Sequence, residues 1–134
     1  MISHHAALIY TMVLVSASDR NMTDAELETM GETIGHLPIF KDYDRRLLPK
    51  TASACAELLD DENGLERALD LIKSALPEKL RETAYALACD VVASDREASQ
   101  EELRMLELIR DALGIDRLAA AAIERGARAH YRRL

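Results

Sequence analysis

The chain has 134 residues, 49% of them hydrophobic and 31% charged, so it can bury a core and is not a disordered tail. Its formal net charge of −7 argues against nucleic acid as a partner, because contact with phosphates needs a basic surface. With no Trp and one Phe, the core has to be aliphatic, and the Ala- and Leu-rich segments favour helix over strand.

The first two predicted helices are joined by a capped turn. The first runs from about Ser3 to Ser18; its apolar run ALIYTMVLVSA contains β-formers, but its length favours a helix. Thr23 then has the position of an N-cap, and Glu26 three residues later completes a capping box. The second helix is expected to end near Gly35 and Pro38.

Three helices are predicted in the middle of the chain. They follow the turn-like stretch IFKDYDRR and are expected near 49–59, 65–76 and 77–94. Pro49 and Pro77 favour helix starts, because proline fits the first helical position. The stretch DDENG separates the first two of these helices.

The last two predicted helices have their own start and stop signals. Ser99 and Glu102 repeat the capping box, and Gly114 is a suitable helix terminator. Asp116 then caps a final helix that reaches about Arg132. The complete set is about seven helices and no convincing strand, which predicts an all-α fold.

A ten-residue phrase occurs twice, as SDRNMTDAEL at 18–27 and SDREASQEEL at 94–103. In each copy an apolar helix runs into the turn and an amphipathic helix leaves it. This repetition predicts two pseudo-repeated helical hairpins, over about 6–37 and 82–113, that pack against each other. We therefore expect one domain over 1–134, a compact helical bundle.

The repeated phrase also indicates a metal site. Each copy has an Asp before the turn and a Glu in the first turn of the next helix, namely Asp19 with Glu26 and Asp95 with Glu102. If the halves pack around a pseudo-twofold axis, these carboxylates converge into the oxygen-rich cluster that hard divalent cations prefer. Asp90, in the apolar stretch ACDVVAS, adds a carboxylate that is costly to bury unless it is paired or bound to a cation.

Other interpretations remain open for the same residues. Capping alone explains both glutamates without a metal. Asp90 could instead pair with an arginine such as Arg104 or Arg110. An EF-hand is excluded, because neither copy has Gly at the sixth or Glu at the twelfth position of the loop.

Enzymatic function is not expected. The chain has no Gly-rich phosphate loop, no HExxH and no Glu-x-x-His, and His36 and His130 stand alone, away from any nucleophile. Cys55 and Cys89 lie in separate apolar stretches and are interpreted as buried thiols in a reducing compartment.

The chain is expected to be cytoplasmic. Its N-terminus MISHHAALIY lacks the positive region of a signal peptide, and its longest apolar run, 6–17, is too short to span a bilayer. The last helix is basic: from residue 116 onwards, five arginines oppose two acidic residues, a balance of +3. These arginines suit the helix dipole, or else favour weak contact with a membrane surface or a protein partner.

Two stretches, LVSASDRNMTDAELETM and ETAYALACDVVASDREASQEELRMLELIRDALG, resemble the tellurite-resistance TerB-like family. The resemblance implies a bacterial, cytoplasmic bundle of about seven helices, linked to tellurite resistance or stress response. It implies a divalent-cation site at Asp19, Glu26, Asp95 and Glu102, beside which we place Asp90. It further implies protein partners, and a homodimer is compatible with it.

One feature of the phrase departs from the family pattern. Gly often follows the Asp in that pattern, whereas this chain has Arg20 and Arg96. A guanidinium paired with the Asp would replace the metal. The alternative to cation binding is therefore a metal-free structural or interaction module, held by Asp–Arg pairs and capping boxes.

Overall fold

The computed structural model describes residues 1–16, 23–94 and 98–134, and the structural statements below concern those residues. The α-helices are α1 (His4–Ser16), α2 (Asp24–Gly35), α3 (Leu48–Leu59), α4 (Gly64–Ala75), α5 (Arg81–Ser94), α6 (Gln100–Leu113) and α7 (Arg117–His130). Short 3₁₀ helices lie at Pro38–Phe40, Arg45–Leu47 and Glu78–Leu80. No strand occurs in this part of the chain, so the predicted all-α fold is confirmed.

Helix α1 is the centre of the core. Every residue from Ala7 to Val15 is buried, because α1 is enclosed by α3, α4, α5 and α6. A helix buried on all sides has no polar face, so its sequence lacks the helical alternation of apolar and polar residues. For this reason the sequence of this segment is also compatible with a strand. The hydroxyl of Thr11 donates to the carbonyl of Ala7 at 2.8 Å, so this buried polar group is satisfied.

Helices α1 and α5, the first helices of the two repeated halves, make the most extensive helix–helix contact. The predicted packing of one half on the other is therefore confirmed at this pair. Helix α5 also packs against α6 and α7. It thus stands between the core helix and the basic last helix, with Tyr85, Cys89 and Val92 buried.

Both predicted capping boxes are present. Thr23 caps α2 and Ser99 caps α6, each with a reciprocal bond from the glutamate three residues later. Gly114 ends α6 with a left-handed backbone, φ 64°, and Asp116 caps α7. These local signals act as the sequence predicted.

The start of the predicted helix 77–94 needs a correction. Its first turn is a 3₁₀ helix in which the N–H of Leu80 donates to the carbonyl of Pro77, and α5 begins only at Arg81. Pro77 is extended, with ψ 151°, so it precedes the helix and is not its first residue. The predicted end of the first helix at Ser18 lies outside the described residues.

Candidate functional site

A cavity of about 470 Å³, here called the acidic cavity, opens between α1, α2, α5 and α6. Glu26 from α2, Asp90 from α5 and Glu102 from α6 all line it. The structure thus brings three of the five predicted site residues to one cavity. The other two, Asp19 and Asp95, lie outside the described residues.

The two glutamates use one oxygen each for capping. The backbone N–H of Thr23 donates to Oε1 of Glu26 at 3.1 Å, and that of Ser99 donates to Oε1 of Glu102 at 2.9 Å. Among the described residues, no hydrogen bond or ion pair reaches Oε2 of either side chain. Glu102 is only 9% exposed, so little of its side chain contacts water.

Asp90 is the third carboxylate, and its environment disfavours its charge. Burial raises the pKa of Asp90 above its ordinary value, and the charge of His130 partly opposes that rise. Tyr131 lines the same cavity, and its pKa is raised by burial first and then by Asp90. No local sequence pattern singles out Tyr131, because this residue follows the last helix and reaches the cavity only through tertiary packing.

The predicted pairing of Asp90 with Arg104 or Arg110 is wrong. Arg104 pairs with Glu107 on its own helix, at 2.8 Å. Arg110 lies 3.8 Å from the carboxylate of Glu124 on α7. Within the described ranges Asp90 forms no ion pair.

Comparison with family models gives a match over residues 5–125 to the family described as tellurite resistance protein TerB. The chain belongs to the TerB family. The match spans both copies of the repeated phrase and all the helices that line the acidic cavity. No curated protein and no solved structure matches the chain.

The polar side chains that line the cavity of this TerB-family chain all offer oxygen ligands. Besides the three carboxylates, the side chains of Ser16, Thr29, Thr33, Ser94 and Ser99 line it. Carboxylates and hydroxyls suit hard cations such as Ca²⁺ and Mg²⁺. However, no three Asp, Glu, His or Cys side chains among the described residues are placed to hold one ion, so the three carboxylates do not by themselves form a coordination shell.

Among the described residues, no thiol or histidine of the TerB-family chain lines the acidic cavity, although the charge of His130 acts on Asp90. Burial raises the pKa of Cys55 and of Cys89 to about 12, so both remain thiols at neutral pH. His36 follows the end of α2 and His130 ends α7, as predicted, and both are exposed. Within the described ranges, no helix combines the length and apolar character needed to cross a bilayer.

Proposed function

We propose that this TerB-family protein is a non-enzymatic, cytosolic cation-binding protein that acts in tellurite resistance or chemical-stress response together with protein partners. The divalent cation occupies the acidic cavity. The observation that carries the proposal is that carboxylates from three different helices, Glu26, Asp90 and Glu102, line one cavity.

Electrostatics supports an ion in this position. Like charges that face one cavity repel, and burial makes the repulsion stronger because water screens it less. Burial raises the pKa of Asp90, so the metal-free cavity disfavours the charge of this carboxylate. A bound cation offsets this cost. Asp19 and Asp95, which lie outside the described residues, remain ligands predicted from the repeated phrase.

A cation titration of thermal stability tests the proposal. For a dissociation constant of about 0.1 mM, 10 mM of the preferred ion stabilises the fold by about 2.7 kcal/mol, which raises Tm by roughly 10 °C. We expect such a shift with at least one of Ca²⁺, Mg²⁺, Mn²⁺ and Zn²⁺. The double variant Asp19→Asn/Asp95→Asn should lose it.

A matched control removes the same charge elsewhere. Asp42 and Asp70 are exposed and do not line the acidic cavity. The double variant Asp42→Asn/Asp70→Asn should therefore keep the full cation shift. Absence of a shift with all four ions, or an equal loss in both double variants, contradicts cation binding at this site.

A second candidate function is a metal-free structural or interaction module. It is favoured by the capping boxes, because both form through protein groups alone, at Thr23–Glu26 and Ser99–Glu102. In that case Asp19→Asn should cost about 1 kcal/mol by loss of a turn or Arg contact, with no dependence on any ion. The same titration distinguishes the two candidates.

A further inference from the structure

A second cavity, of about 970 Å³, lies between α5, α6 and α7 and is here called the basic groove. Its walls include the apolar side chains of Val92, Leu103, Leu106 and Ala127 and the guanidiniums of Arg110, Arg128, Arg132 and Arg133. We propose that the basic groove binds an acidic amphipathic helix of a partner protein. The proposal does not rest on cation binding, because the arginines and leucines that carry it do not line the acidic cavity.

The two acidic side chains that line the groove already have partners. Glu107 pairs with Arg104 at 2.8 Å. Glu124 accepts a hydrogen bond from the hydroxyl of Tyr85 at 2.5 Å and lies 3.8 Å from Arg110. These contacts hold the carboxylates within the chain, so they do not neutralise the other arginines of the groove.

Three arginines of the basic groove present their charge to a ligand. Arg128, Arg132 and Arg133 are exposed, and no ion pair to them exists in the described part of the chain. Three guanidiniums without an ion-pair partner among the described residues thus line one groove of a chain whose net charge is −7. Such a patch attracts an anionic occupant and repels a basic one.

The apolar part of the groove is also incompletely covered. Leu103 is 44% exposed, and Leu106 lies one helical turn later on the same side of α6 and is half-buried. Ala127 of α7 and Val92 of α5 form the buried surface near them. An occupant that covers these leucines while its carboxylates meet the arginines must have one apolar and one acidic side.

An amphipathic helix fits this description better than a bilayer does. The groove is a concave space between three helices, whereas a bilayer presents a flat surface. One turn of a helix, ~10 Å wide and 5.4 Å long, fills roughly 400 Å³, so the groove holds about two turns. Helices bind such grooves through apolar residues at i, i+3 and i+4, with charged residues on the flanks.

Fluorescence anisotropy with a labelled synthetic peptide tests the proposal. The probe is a helix of about five turns with Leu at i, i+3, i+4 and i+7 and Glu on both flanks, and the control peptide has Gln in place of each Glu. The chelator EDTA is present, so that the result does not depend on a cation. The glutamate peptide should bind at least about tenfold more tightly than the glutamine peptide.

Two charge-reversed variants locate the binding. Arg128→Glu/Arg132→Glu should weaken binding about tenfold or more, because two attractions become repulsions. Arg117→Glu/Arg125→Glu changes the same amount of charge in the same C-terminal region, but these exposed arginines do not line the groove. This control should alter affinity less than about threefold.

Four results would each overturn the proposal. They are no binding of the glutamate peptide, equal binding of the two peptides, an equal effect of the two double variants, and binding to phosphatidylglycerol vesicles without binding to the peptide. The last result would identify the basic groove as part of a membrane-contacting surface. Circular dichroism of each variant checks that the helices are retained.

Discussion

Glu102 caps α6 and also lines the acidic cavity, and two substitutions separate these roles. Glu102→Gln keeps an oxygen that accepts from the N–H of Ser99, since Gln serves equally in a capping box, but it removes the charge. Ser99→Ala leaves the carboxylate in place and removes the oxygen that accepts from the N–H of Glu102 at 3.1 Å. One variant therefore tests the cation and the other tests the cap.

The expected magnitudes differ with and without the ion. In EDTA, Ser99→Ala should lower the free energy of unfolding by about 1 kcal/mol, the usual cost of a lost N-cap. Glu102→Gln should change it by less than about 0.5 kcal/mol, because the reciprocal bond is retained. At an ion concentration of 100 times Kd, the wild-type protein and Ser99→Ala should both gain about 2.7 kcal/mol, whereas Glu102→Gln should gain much less.

Urea unfolding followed by far-UV circular dichroism, with EDTA or with the ion, measures all of these differences. Thr23→Ala and Glu26→Gln give the matched pair in the other half, where the cap is built in the same way. If Glu102→Gln keeps the full ion-dependent gain, Glu102 is not a ligand. If Ser99→Ala loses that gain as well, cation binding depends on the N-cap, and the two roles of Glu102 are not separable.

Two further predictions concern stability. In EDTA, Asp90→Asn should raise the free energy of unfolding at pH 7. Burial raises the folded-state pKa of Asp90, so its charge destabilises the fold above that pKa. The stabilisation by Asp90→Asn should therefore vanish as the pH falls towards 3.8, the ordinary pKa of Asp. Urea titrations from pH 7 to 4 measure this, and a destabilised variant at pH 7 would contradict it. Gly64→Ala should lower the free energy of unfolding by at least about 2 kcal/mol, because a Cβ there would lie 2.1 Å from the carbonyl oxygen of Leu58. Gly126 has open space around it, so Gly126→Ala should stabilise α7 by about 0.5–1 kcal/mol. Thermal unfolding compares the two alanine variants, and equal effects would refute the steric argument.

The sequence was most informative where structure is set locally. The capping boxes at Thr23 and Ser99, the terminator Gly114 and the cap Asp116 depend on residues within one turn, and all four occur as predicted. The first turn before α5 was mistaken because Pro77 suits both the first helical position and the extended residue before a 3₁₀ turn. Neighbouring residues alone do not decide between these two conformations.

The candidate sites depend on tertiary packing, and there the sequence was only partly informative. Repetition indicated that Glu26 and Glu102 would have equivalent positions, and packing of the two halves brings both to one cavity. The partner of Asp90 was misjudged, because charge and proximity in sequence do not show which face of α6 carries an arginine. The basic last helix was noticed from its composition, but its apolar wall at Leu103 required knowledge of how α6 meets α7.

Tyr131 is the residue that the acidic cavity and the basic groove have in common, since its side chain lines both. It directly follows α7, where its N–H donates to the carbonyl of Ala127 at 3.2 Å, and it is 38% exposed. A ligand that displaced this ring from one cavity would change the shape of the other. Thermodynamic reciprocity then makes the effect mutual. If a bound cation changes the affinity for a partner by some factor, a bound partner changes the affinity for the cation by the same factor. A single aromatic ring would thus connect cation occupancy with partner choice.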